Sequence, residues 1–410
     1  MDNLTHTMIG AAIAETAFFA FRQDTGEKAR RSTRSVFHWA SFLGNNFPDL
    51  DFLYARITPG PLGYLLHHRG HTHTLIGVLP QAALIFFIFY SVEKLFKRQP
   101  SDPATKRMAA ILVTLGLIAH IFADSWNSYG VHPFYPWNSK WYYGDTIFII
   151  EPLVWAVLGM SLVWQIKSKA SRAALALLLA TLTFLLFKMN ALTLETYLFF
   201  LVFLAFAGWF FRLLPEPNRC PIALMLVLGF LGCLKSASIH AKDLIVKTLS
   251  ASVLNDSIKI RDIALSPAPA QPFCWSFTTS ETDLKNNKWI TRQGYLTLTP
   301  RLILLSNCPQ GRWFSSPGEL KGGLIVIKKY EAKLETLTQA DRNDCEISAW
   351  LRFARIPVID KNSAFDLRFT TNQRINFSKL DLKKSENIQC PSFIPPWEKP
   401  RQDILSDLLE

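Results

Sequence analysis

The histidines and aspartates in the first half of this 410-residue chain are grouped, and the grouping indicates a metal site. Seven of the nine histidines lie at the ends of apolar runs or in the connections between them. Imidazole and carboxylate side chains are the usual ligands of zinc, manganese and iron. The grouped residues are His6, His67, His68, His71, His73, His120 and His132, accompanied by Asp2, Asp49, Asp51 and Asp124.

The spacing of these residues fits helices and loops that present several ligands together. Asp2 and His6 are four residues apart, as are His120 and Asp124, so each pair shares one face of a helix. The sequence Pro-Asp-Leu-Asp at 48–51 ends an apolar run, and a loop there can direct both carboxylates to a cation. Five to seven ligands of this kind suggest two metal ions rather than one.

Each group also has a simpler structural interpretation. Asp2 and Thr5 can cap the first helix, and the sequence at 48–51 can be an ordinary turn. The histidines at 67–73 can lie at a membrane surface or sense pH. The group at 120–124 can be a buried hydrogen-bonded pair, although ionisable side chains in spanning segments are costly and usually functional. The coincidence of all four groups favours the metal site.

A metal ion held by these residues would favour hydrolytic chemistry. It would lower the pKa of water and supply hydroxide at neutral pH. Arg69, which lies among the histidines at 67–73, can steady a phosphate or a developing oxyanion. The chain has no His-Glu-x-x-His motif, no Gly-x-Ser-x-Gly motif and no P-loop, which disfavours zincins, serine esterases and nucleotide triphosphatases.

Long apolar runs before residue 240 indicate a membrane domain that positions these groups. Hydrophobic residues make up 49% of the chain, and its mean hydropathy is +0.15. Most of the runs are near the lower end of the roughly 17–25 residues that a spanning helix needs. We predict a mainly α, multi-pass membrane helical bundle of about six to eight apolar helices. The runs cover 7–21, 36–47, 74–92, 108–122, 147–164, 173–187, 194–211 and 222–234.

Lysine and arginine are distributed unevenly between the connections, which predicts an orientation. They are rare in the connections 48–73 and 123–146, and the positive-inside rule places the basic connections in the cytoplasm. The N-terminus, the four His/Asp groups and the tail after residue 240 then lie outside the cytoplasm. The basic flanks also account for the net charge of +12 without nucleic-acid binding. The basic connections are 22–34, 94–107, 167–172 and 212–219.

The composition changes after residue 240, where a small β-rich soluble domain is predicted. We predict a membrane domain at 1–240 that carries the metal site, a linker at 241–272 and a β-rich extracytoplasmic domain at 273–410. The Pro-rich sequence at 266–273 is typical of a linker or an extended entry strand. Alternation of apolar and polar residues predicts strands at 289–299, 302–306, 323–330, 350–359 and 365–371.

Four of the six cysteines lie in the tail and bear on its compartment. An even number of cysteines there permits two disulfides if the tail is outside the cytoplasm. The sequence allows three pairings, and free thiols are an equal alternative. These cysteines are Cys274, Cys308, Cys345 and Cys390.

Taken together, these motifs resemble those of a known membrane family. They are Asp2-x-x-Thr5-His6, Pro48-Asp49-Leu50-Asp51, His68-Arg69-Gly70-His71-Thr72-His73-Thr74 and His120-x-x-x-Asp124-x-x-Asn127-Ser128-Tyr129-Gly130. The chain resembles the LexA-regulated, YdjM-like family of membrane-bound, predicted metal-dependent hydrolases over about residues 1–240. The resemblance extends into the tail through the Pro-rich stretch ending near Trp275 and through the sequence at 350–357.

The resemblance implies an inner-membrane protein with a metal centre and hydrolytic activity. We expect zinc as the cofactor, with manganese or iron as alternatives. Asp124 and Arg69 are the expected catalytic residues. Asn127 and Tyr129 are expected to contact substrate, with a structured loop cap as an equal alternative. The implied metal ligands are His6, Asp49, Asp51, His68, His73, His120 and Asp124.

The sequence therefore predicts a membrane-bound metal-dependent hydrolase. An ester or phosphoester of a lipid or envelope component is the expected substrate, because a site at headgroup level meets lipids first. The alternative is a metal-binding transporter, sensor or scaffold without hydrolysis. A transporter would need polar groups deep inside several helices, and few occur between 173 and 234. The oligomeric state stays open.

Overall fold

Each of two structural units is assembled from several separate stretches of chain. The computed structural model describes residues 1–21, 27–95, 102–252, 257–309, 319–321, 323–369, 376–382 and 390–405. The first unit comprises Met1–Leu50, His71–Asn127 and Phe148–Cys233. The second comprises Asp51–Gly70, Ser128–Ile147 and Leu234–Glu410.

In the part of the chain that the structure describes, helices dominate the first half and the strands follow residue 257. The helices before the first strand are α1 (Asn3–Ala20), α2 (Glu27–Asn46), α3 (Pro61–His67), α4 (Val78–Leu95), α5 (Pro103–Ser125), α6 (Pro152–Val163), α7 (Lys169–Lys188), α8 (Leu194–Leu213) and α9 (Glu216–Ser252). The strands are β1 (Ile258–Ala268), β2 (Gln271–Asp283), β3 (Lys288–Thr297), β4 (Glu319–Lys321), β5 (Leu324–Lys333), β6 (Pro357–Ile359), β7 (Ser363–Asp366) and β8 (Leu380–Asp381). Three further helices are α10 (Leu334–Asn343), α11 (Cys345–Trp350) and α12 (Gln402–Leu405).

Acidic residues begin several helices of the first unit. The side chain of Asp2 accepts a hydrogen bond from the Thr5 backbone at 3.0 Å and caps α1. Asp102 caps α5 and Glu151 caps α6, each immediately before a proline at the first helical position. A proline there loses no intrahelical hydrogen bond, and an N-cap carboxylate accepts from free backbone N–H groups. The alternative interpretation of Asp2 as a cap, rather than a ligand, therefore agrees with its contacts.

The core of the first unit forms where α1, α2, α4 and α5 pack together. Phe37 and Ala40 of α2 are fully buried, as are Val113 and Leu117 of α5, and these residues belong to one hydrophobic cluster. Burial of a large aliphatic or aromatic side chain stabilises a fold by roughly 1.5–3 kcal/mol. The packing of α2 against α5 matters for function, because both helices lead to His/Asp groups.

Basic side chains gather at one end of the first unit, around Trp164. The Arg219 guanidinium donates to the Trp164 carbonyl oxygen at 2.7 Å, and the Arg172 guanidinium lies 4.6 Å from the centre of the Trp164 ring. Arg34 donates to the carbonyl oxygen of Gln165 at 3.4 Å. These three arginines belong to three of the four basic connections that were predicted to lie on the same side of the membrane, and they meet within this unit.

The described residues hold fewer candidate membrane spans than the six to eight predicted. Four described helices are long and apolar enough to cross a membrane, namely α5, α7, α8 and α9. The segments Pro61–His73 and Val78–Val92, bent by 80°, would make a fifth if counted as one broken span. The predicted six to eight are not confirmed, because α6 has only 12 residues and the apolar runs in α1 and α2 are interrupted by polar side chains.

The second unit contains the β-sheets, which confirms the prediction of a β-sheet region after the helical part. One antiparallel sheet has the strand order β1-β2-β3-β5-β4, and a smaller sheet has the order β6-β7-β8. The strands predicted at 289–299 and 323–330 correspond to β3 and β5. The prediction at 302–306 was wrong, since the described backbone there has no strand and forms a 3-10 turn at Leu305–Asn307. Residues 350–359 hold the end of α11 as well as β6, and residues 370–371 lie outside the described part.

Large aromatic residues and two disulfides stabilise the second unit. Trp350 and Trp397 are fully buried in one cluster with Leu62, Leu65 and Leu66 of α3. Cys274 pairs with Cys308, and Cys345 pairs with Cys390. Of the three pairings that the sequence allowed, this one joins neighbouring cysteines along the chain. The predicted boundaries at 240 and 272 stay predictions; α9 continues to Ser252, and β1 lies within the predicted linker.

Candidate metal centre

Four side chains of the first unit converge into a compact group of potential metal ligands. Asp49, His73, His120 and Asp124 each offer one ligand atom, and these atoms all lie within 4.8 Å of one another. Nε2 of His73 is 3.1 Å from Nε2 of His120 and 3.3 Å from Oδ2 of Asp124. Nε2 of His120 is 3.4 Å from Oδ1 of Asp49 and 3.5 Å from Oδ2 of Asp124. Among the described residues, this is the group with metal-ligand geometry.

These separations fit a single small cation. Nitrogen and oxygen ligands of zinc lie at about 2.0–2.2 Å, so adjacent ligands of a tetrahedral site are about 3.3–3.6 Å apart. The five separations that join a histidine Nε2 atom to another ligand atom of the group range from 3.1 to 3.5 Å. Two imidazoles and two carboxylates are also the ligand types that borderline cations select. A His/Asp cluster that can hold a metal ion is therefore present; it does not identify the metal.

Three separate parts of the chain supply the ligands, and local structure fixes each of them. Asp49 lies in a 3-10 helix, Pro48–Leu53, which follows α2. His73 ends a short 3-10 helix, His71–His73, before α4. His120 and Asp124 lie one turn apart near the end of α5, as their spacing predicted.

Two glycines allow α2 and α5 to approach closely enough to bring these parts together. A Cβ atom at Gly44 would lie 2.5 Å from the carbonyl oxygen of Val113, and a Cβ atom at Gly116 would lie 2.8 Å from Nδ2 of Asn45. The contact at Gly44 is with the backbone and is shorter than real Cβ contacts allow, so a larger residue there would separate the helices. At Gly116 the backbone nitrogen of Asn45 would lie 3.0 Å from a Cβ atom, which is a tight contact. These glycines were not predicted from the sequence, although small residues at helix contacts are a known feature of membrane bundles.

The close approach also orients the imidazole of His120. Its Nδ1 atom lies 2.7 Å from the backbone carbonyl oxygen of Asn45. A carbonyl oxygen can only accept, so Nδ1 carries the proton and Nε2 of the neutral ring keeps its lone pair. Nε2 is the atom that faces Asp49, His73 and Asp124. A hydrogen bond of this kind behind a histidine ligand is typical of metal sites.

His6 lies beside the four-residue group and contacts two of its members. Its ring stacks on that of His120 with 3.8 Å between centroids, and its Nε2 atom is 3.3 Å from Oδ1 of Asp124. Thr5, next to His6, accepts a hydrogen bond from the Trp155 indole at 3.0 Å, which ties α1 to α6. His6 therefore contacts the group at Oδ1 of Asp124, whereas His73 faces Oδ2 of the same carboxylate.

Burial and charge both act on the carboxylate of Asp49. Burial alone would raise its pKa, but the contacts with His120 and His73 hold the pKa of the Asp49 carboxyl well below its usual range. The Asp49 side chain keeps 14% of its surface accessible, whereas those of His73, His120 and Asp124 are fully enclosed. Asp49 is thus the member of the group that is not enclosed.

Three other predicted site residues lie in the second unit. His68 donates from Nδ1 to Oδ1 of Asp51 at 3.0 Å, and the backbone N–H of Arg69 donates to Oδ2 of the same carboxylate at 2.8 Å. The Arg69 guanidinium lies 4.8 Å above the ring of Tyr129. Arg69 also has a φ of 60°, which is uncommon for a residue with a side chain. Asp51 and His68 thus contact each other and stand outside the four-residue group described above.

The predicted substrate-binding residues are both buried. Asn127 belongs to the first unit and Tyr129 to the second. The Tyr129 ring contacts His68 at 5.6 Å and Phe353 at 5.3 Å between centroids. Its environment is therefore aromatic. Their roles toward a substrate stay predictions.

Comparisons with known proteins support the family resemblance for the first half of the chain. Residues 1–192 match the family model described as YdjM inner membrane protein, and this range includes all four residues of the metal group. The uncharacterized protein YfhP of Bacillus subtilis (strain 168) is 27% identical over 157 residues, which are 38% of this chain. The match spans 43% of the length of YfhP, less than half of that relative. No solved structure matches this chain.

Proposed function

We propose that this chain, whose residues 1–192 match the family model described as YdjM inner membrane protein, is a membrane-bound, metal-dependent hydrolase. Asp49, His73, His120 and Asp124 are its proposed metal ligands. The observation that carries this proposal is the convergence of their four ligand atoms within 4.8 Å of one another. Zinc is the proposed metal, because two nitrogen and two oxygen ligands at these separations suit a tetrahedral ion. The second ion suggested by the number of candidate ligands stays a prediction.

In the proposed reaction, the metal ion and the side chains that surround it have different roles. A divalent ion bound here would act as a Lewis acid and supply hydroxide near neutral pH. His120 holds its Nε2 lone pair toward the site through the Asn45 hydrogen bond. Asp124 contacts His73 and His120 through Oδ2, and it contacts His6 and the N-terminal amine of Met1 through Oδ1, so it is the proposed residue for both metal binding and proton handling.

The remaining predicted residues enter the proposal with separate roles. Arg69 is the proposed anion-binding residue, because a guanidinium binds phosphate and carboxylate oxygens in a bidentate manner. Asn127 and Tyr129 are proposed to contact the substrate. His68 pairs with Asp51 through Nδ1. His6, Asp51 and His68 are kept as further candidate ligands, to be separated from the four by experiment.

Two observations support a periplasmic location for the site and the tail. The basic residues around Trp164 gather at one end of the first unit, and the positive-inside rule assigns such an end to the cytoplasm. Along α5, Lys106 and Arg107 lie in the first turns, whereas His120 and Asp124 lie in the last. The disulfides of the tail are also typical of proteins outside the cytoplasm. Both lines support a site on the periplasmic face.

An ester or phosphoester of a lipid or envelope component is the proposed substrate. A site near the end of a membrane helix lies close to lipid headgroups, where such bonds are abundant. The test is to reconstitute the purified full-length protein with zinc in vesicles that contain fluorescently labelled phospholipids. We expect labelled products from the natural chain and none from Asp124→Asn. His240→Ala, which changes an exposed histidine of α9, is the matched control and should keep the activity.

The same experiment separates the enzyme from its alternative. Metal-loaded protein that leaves every tested lipid and envelope ester intact would favour a metal-binding transporter, sensor or scaffold. Equal turnover by the natural chain and by Asp124→Asn would contradict the proposed role of Asp124.

A further inference from the structure

A cluster of exposed apolar side chains lies on the second unit, beside the start of α3. Phe52, Leu53 and Ile57 are 53%, 66% and 47% exposed, and Phe393 is 71% exposed. Together with the exposed Arg56, these residues are called the apolar lip. Single exposed apolar residues are common on soluble proteins, but a group of them usually marks a contact surface.

The apolar lip is held in place by the backbone beneath it. The Thr58 hydroxyl lies 3.0 Å from the carbonyl oxygen of Ser392 and 3.2 Å from that of Phe393. The first half of the lip, between residues 52 and 57, is therefore a neighbour of the second half, Phe393. A Cβ atom at Gly63 would lie only 2.2 Å from the carbonyl oxygen of Ala55, so α3 packs directly under the first half. The exposed positions therefore belong to an ordered surface.

The backbone of Phe393 adds to this argument. Its φ is +58°, a conformation that a bulky residue rarely adopts. Such strain persists only where the surrounding structure imposes it, and it often accompanies function. Here the result is a phenyl ring held out from the surface. The disulfide from Cys345 to Cys390 anchors the chain three residues earlier.

The charge of the lip indicates its partner. Within the sequence stretches 52–60 and 390–396, Arg56 is the one residue with a charged side chain. Apolar and aromatic side chains with an arginine beside them fit the boundary between lipid headgroups and acyl chains. A stable interface between proteins takes about 20–30 residues on each side, many more than the lip offers. Lipid is therefore the better partner.

We propose that the apolar lip inserts into the headgroup region of the membrane that this chain spans. Phe52, Leu53, Ile57 and Phe393 would enter the boundary of the acyl chains, and Arg56 would meet lipid phosphates. The second unit would then rest on the bilayer through this surface. This inference goes beyond the hydrolase proposal and holds whether or not the chain is an enzyme.

The test measures how deeply the lip lies in a bilayer. Nitroxide labels are attached to Leu53→Cys and Phe393→Cys in full-length chains whose exposed Cys233 is replaced by alanine, reconstituted in phospholipid vesicles. Leu284→Cys is the matched control, since Leu284 is 61% exposed in the turn after β2. Power saturation then compares collisions with oxygen, which concentrates in lipid, and with chromium oxalate, which stays in water.

We expect the oxygen-to-chromium collision ratio at positions 53 and 393 to exceed that at 284 several-fold. Ratios equal to that at 284 would overturn the proposal. Labels shielded from both reagents, with spin–spin broadening between chains, would overturn it in favour of a second copy. Ile57→Cys provides an independent position if one labelled variant fails to fold. Each label reports depth without any need for bound metal or turnover, so this result is independent of the hydrolase test.

Discussion

The Nδ1 atom of His120 lies 2.7 Å from the carbonyl oxygen of Asn45, and this contact joins α5 to α2 at the metal centre. Because the acceptor is a backbone atom, its position depends on how the two helices pack. Gly44 and Gly116 allow the approach, since a Cβ atom at either would collide with the facing helix. The orientation of His120, a candidate metal ligand, thus depends on the close packing of α2 and α5 at Gly44 and Gly116.

Gly44→Ala should weaken both the fold and the metal site. The added methyl group would lie 2.5 Å from the Val113 carbonyl oxygen and push α2 from α5, which moves Asn45 away from His120. We expect a loss of roughly 1–3 kcal/mol in stability, typical of overpacking, and a weaker affinity for zinc. Gly229→Ala on α9 is the control, because its Cβ would meet nothing within 4 Å. Thermal unfolding and zinc titration of both variants in detergent check this; equal behaviour would contradict it.

His6→Ala should reduce metal affinity without abolishing binding. His6 stacks on His120 and contacts the Asp124 oxygen that faces away from His73, so it supports the ligands from behind. Loss of such a supporting residue typically costs 10–100-fold in affinity. Competition with a chelating dye measures this change. A His6→Ala chain that binds no zinc even at saturation would instead make His6 a direct ligand, as the sequence analysis expected.

The cysteines should report the compartment of the tail. In protein purified without reductant and unfolded in detergent, we expect a maleimide to modify Cys220 and Cys233 only, since the other four are paired. Reduction before labelling should raise the number of adducts from two to six. Mass spectrometry of the intact chain gives both numbers. Six adducts without reductant would mean that the tail thiols are free in the cell, which contradicts a periplasmic tail.

Asp145→Asn should destabilise the second unit strongly. The buried Asp145 carboxylate receives two hydrogen bonds from Arg355, at 2.7 and 2.9 Å, and one from Lys242 at 2.7 Å. Removing one partner of a buried ion pair typically costs about 3–5 kcal/mol. Glu398→Gln is the control, because its contact with Lys140 is at the surface and such pairs contribute about 0–1 kcal/mol. Thermal unfolding followed by circular dichroism compares the two variants.

The ion pair between Asp145 and Arg355 also predicts that the stability of the second unit depends on pH. Burial alone would raise the pKa of Asp145, but the charges of Arg355 and Lys242 bring it below its ordinary value. A carboxyl whose pKa is lowered on folding stabilises the fold fully above its unfolded pKa of about 3.9. This contribution is lost as the pH falls below that value. The stability difference between the natural chain and Asp145→Asn should therefore shrink on acidification, and a constant difference would contradict the assignment.

The sequence predicted the residue types of the metal group well but could not choose among them. The spacing of His120 and Asp124 on a helix fixed their common face, and the structure has them one turn apart. Asp49 and Asp51 seemed equivalent, yet they lie in a 3-10 helix with three residues per turn, so their side chains diverge by about 120°. Asp49 contacts His120, whereas Asp51 contacts His68. The type of turn decides this, and the sequence pattern does not reveal it.

The helical part followed by a β-sheet region was also predictable, but the number of spans was not. The short apolar runs in α1 and α2 were counted among the helices of the bundle, and both helices carry buried polar residues such as Glu15 and Asn45. Glu15 binds Arg34 at 2.8 Å and His38 at 2.5 Å across the two helices. Such pairing lets polar side chains stay inside a bundle, and it depends on contacts between distant residues. Hydropathy along a single run does not contain that information.

The most direct test of the account is the metal content of single-histidine variants. Native mass spectrometry of the full-length protein, loaded with zinc and then desalted, counts the ions held by each chain. We predict one tightly held ion in the natural chain, none in His120→Ala, and one in His68→Ala, because His68 pairs with Asp51 outside the four-residue group. An ion retained by His120→Ala, or lost only from His68→Ala, would contradict the proposed centre.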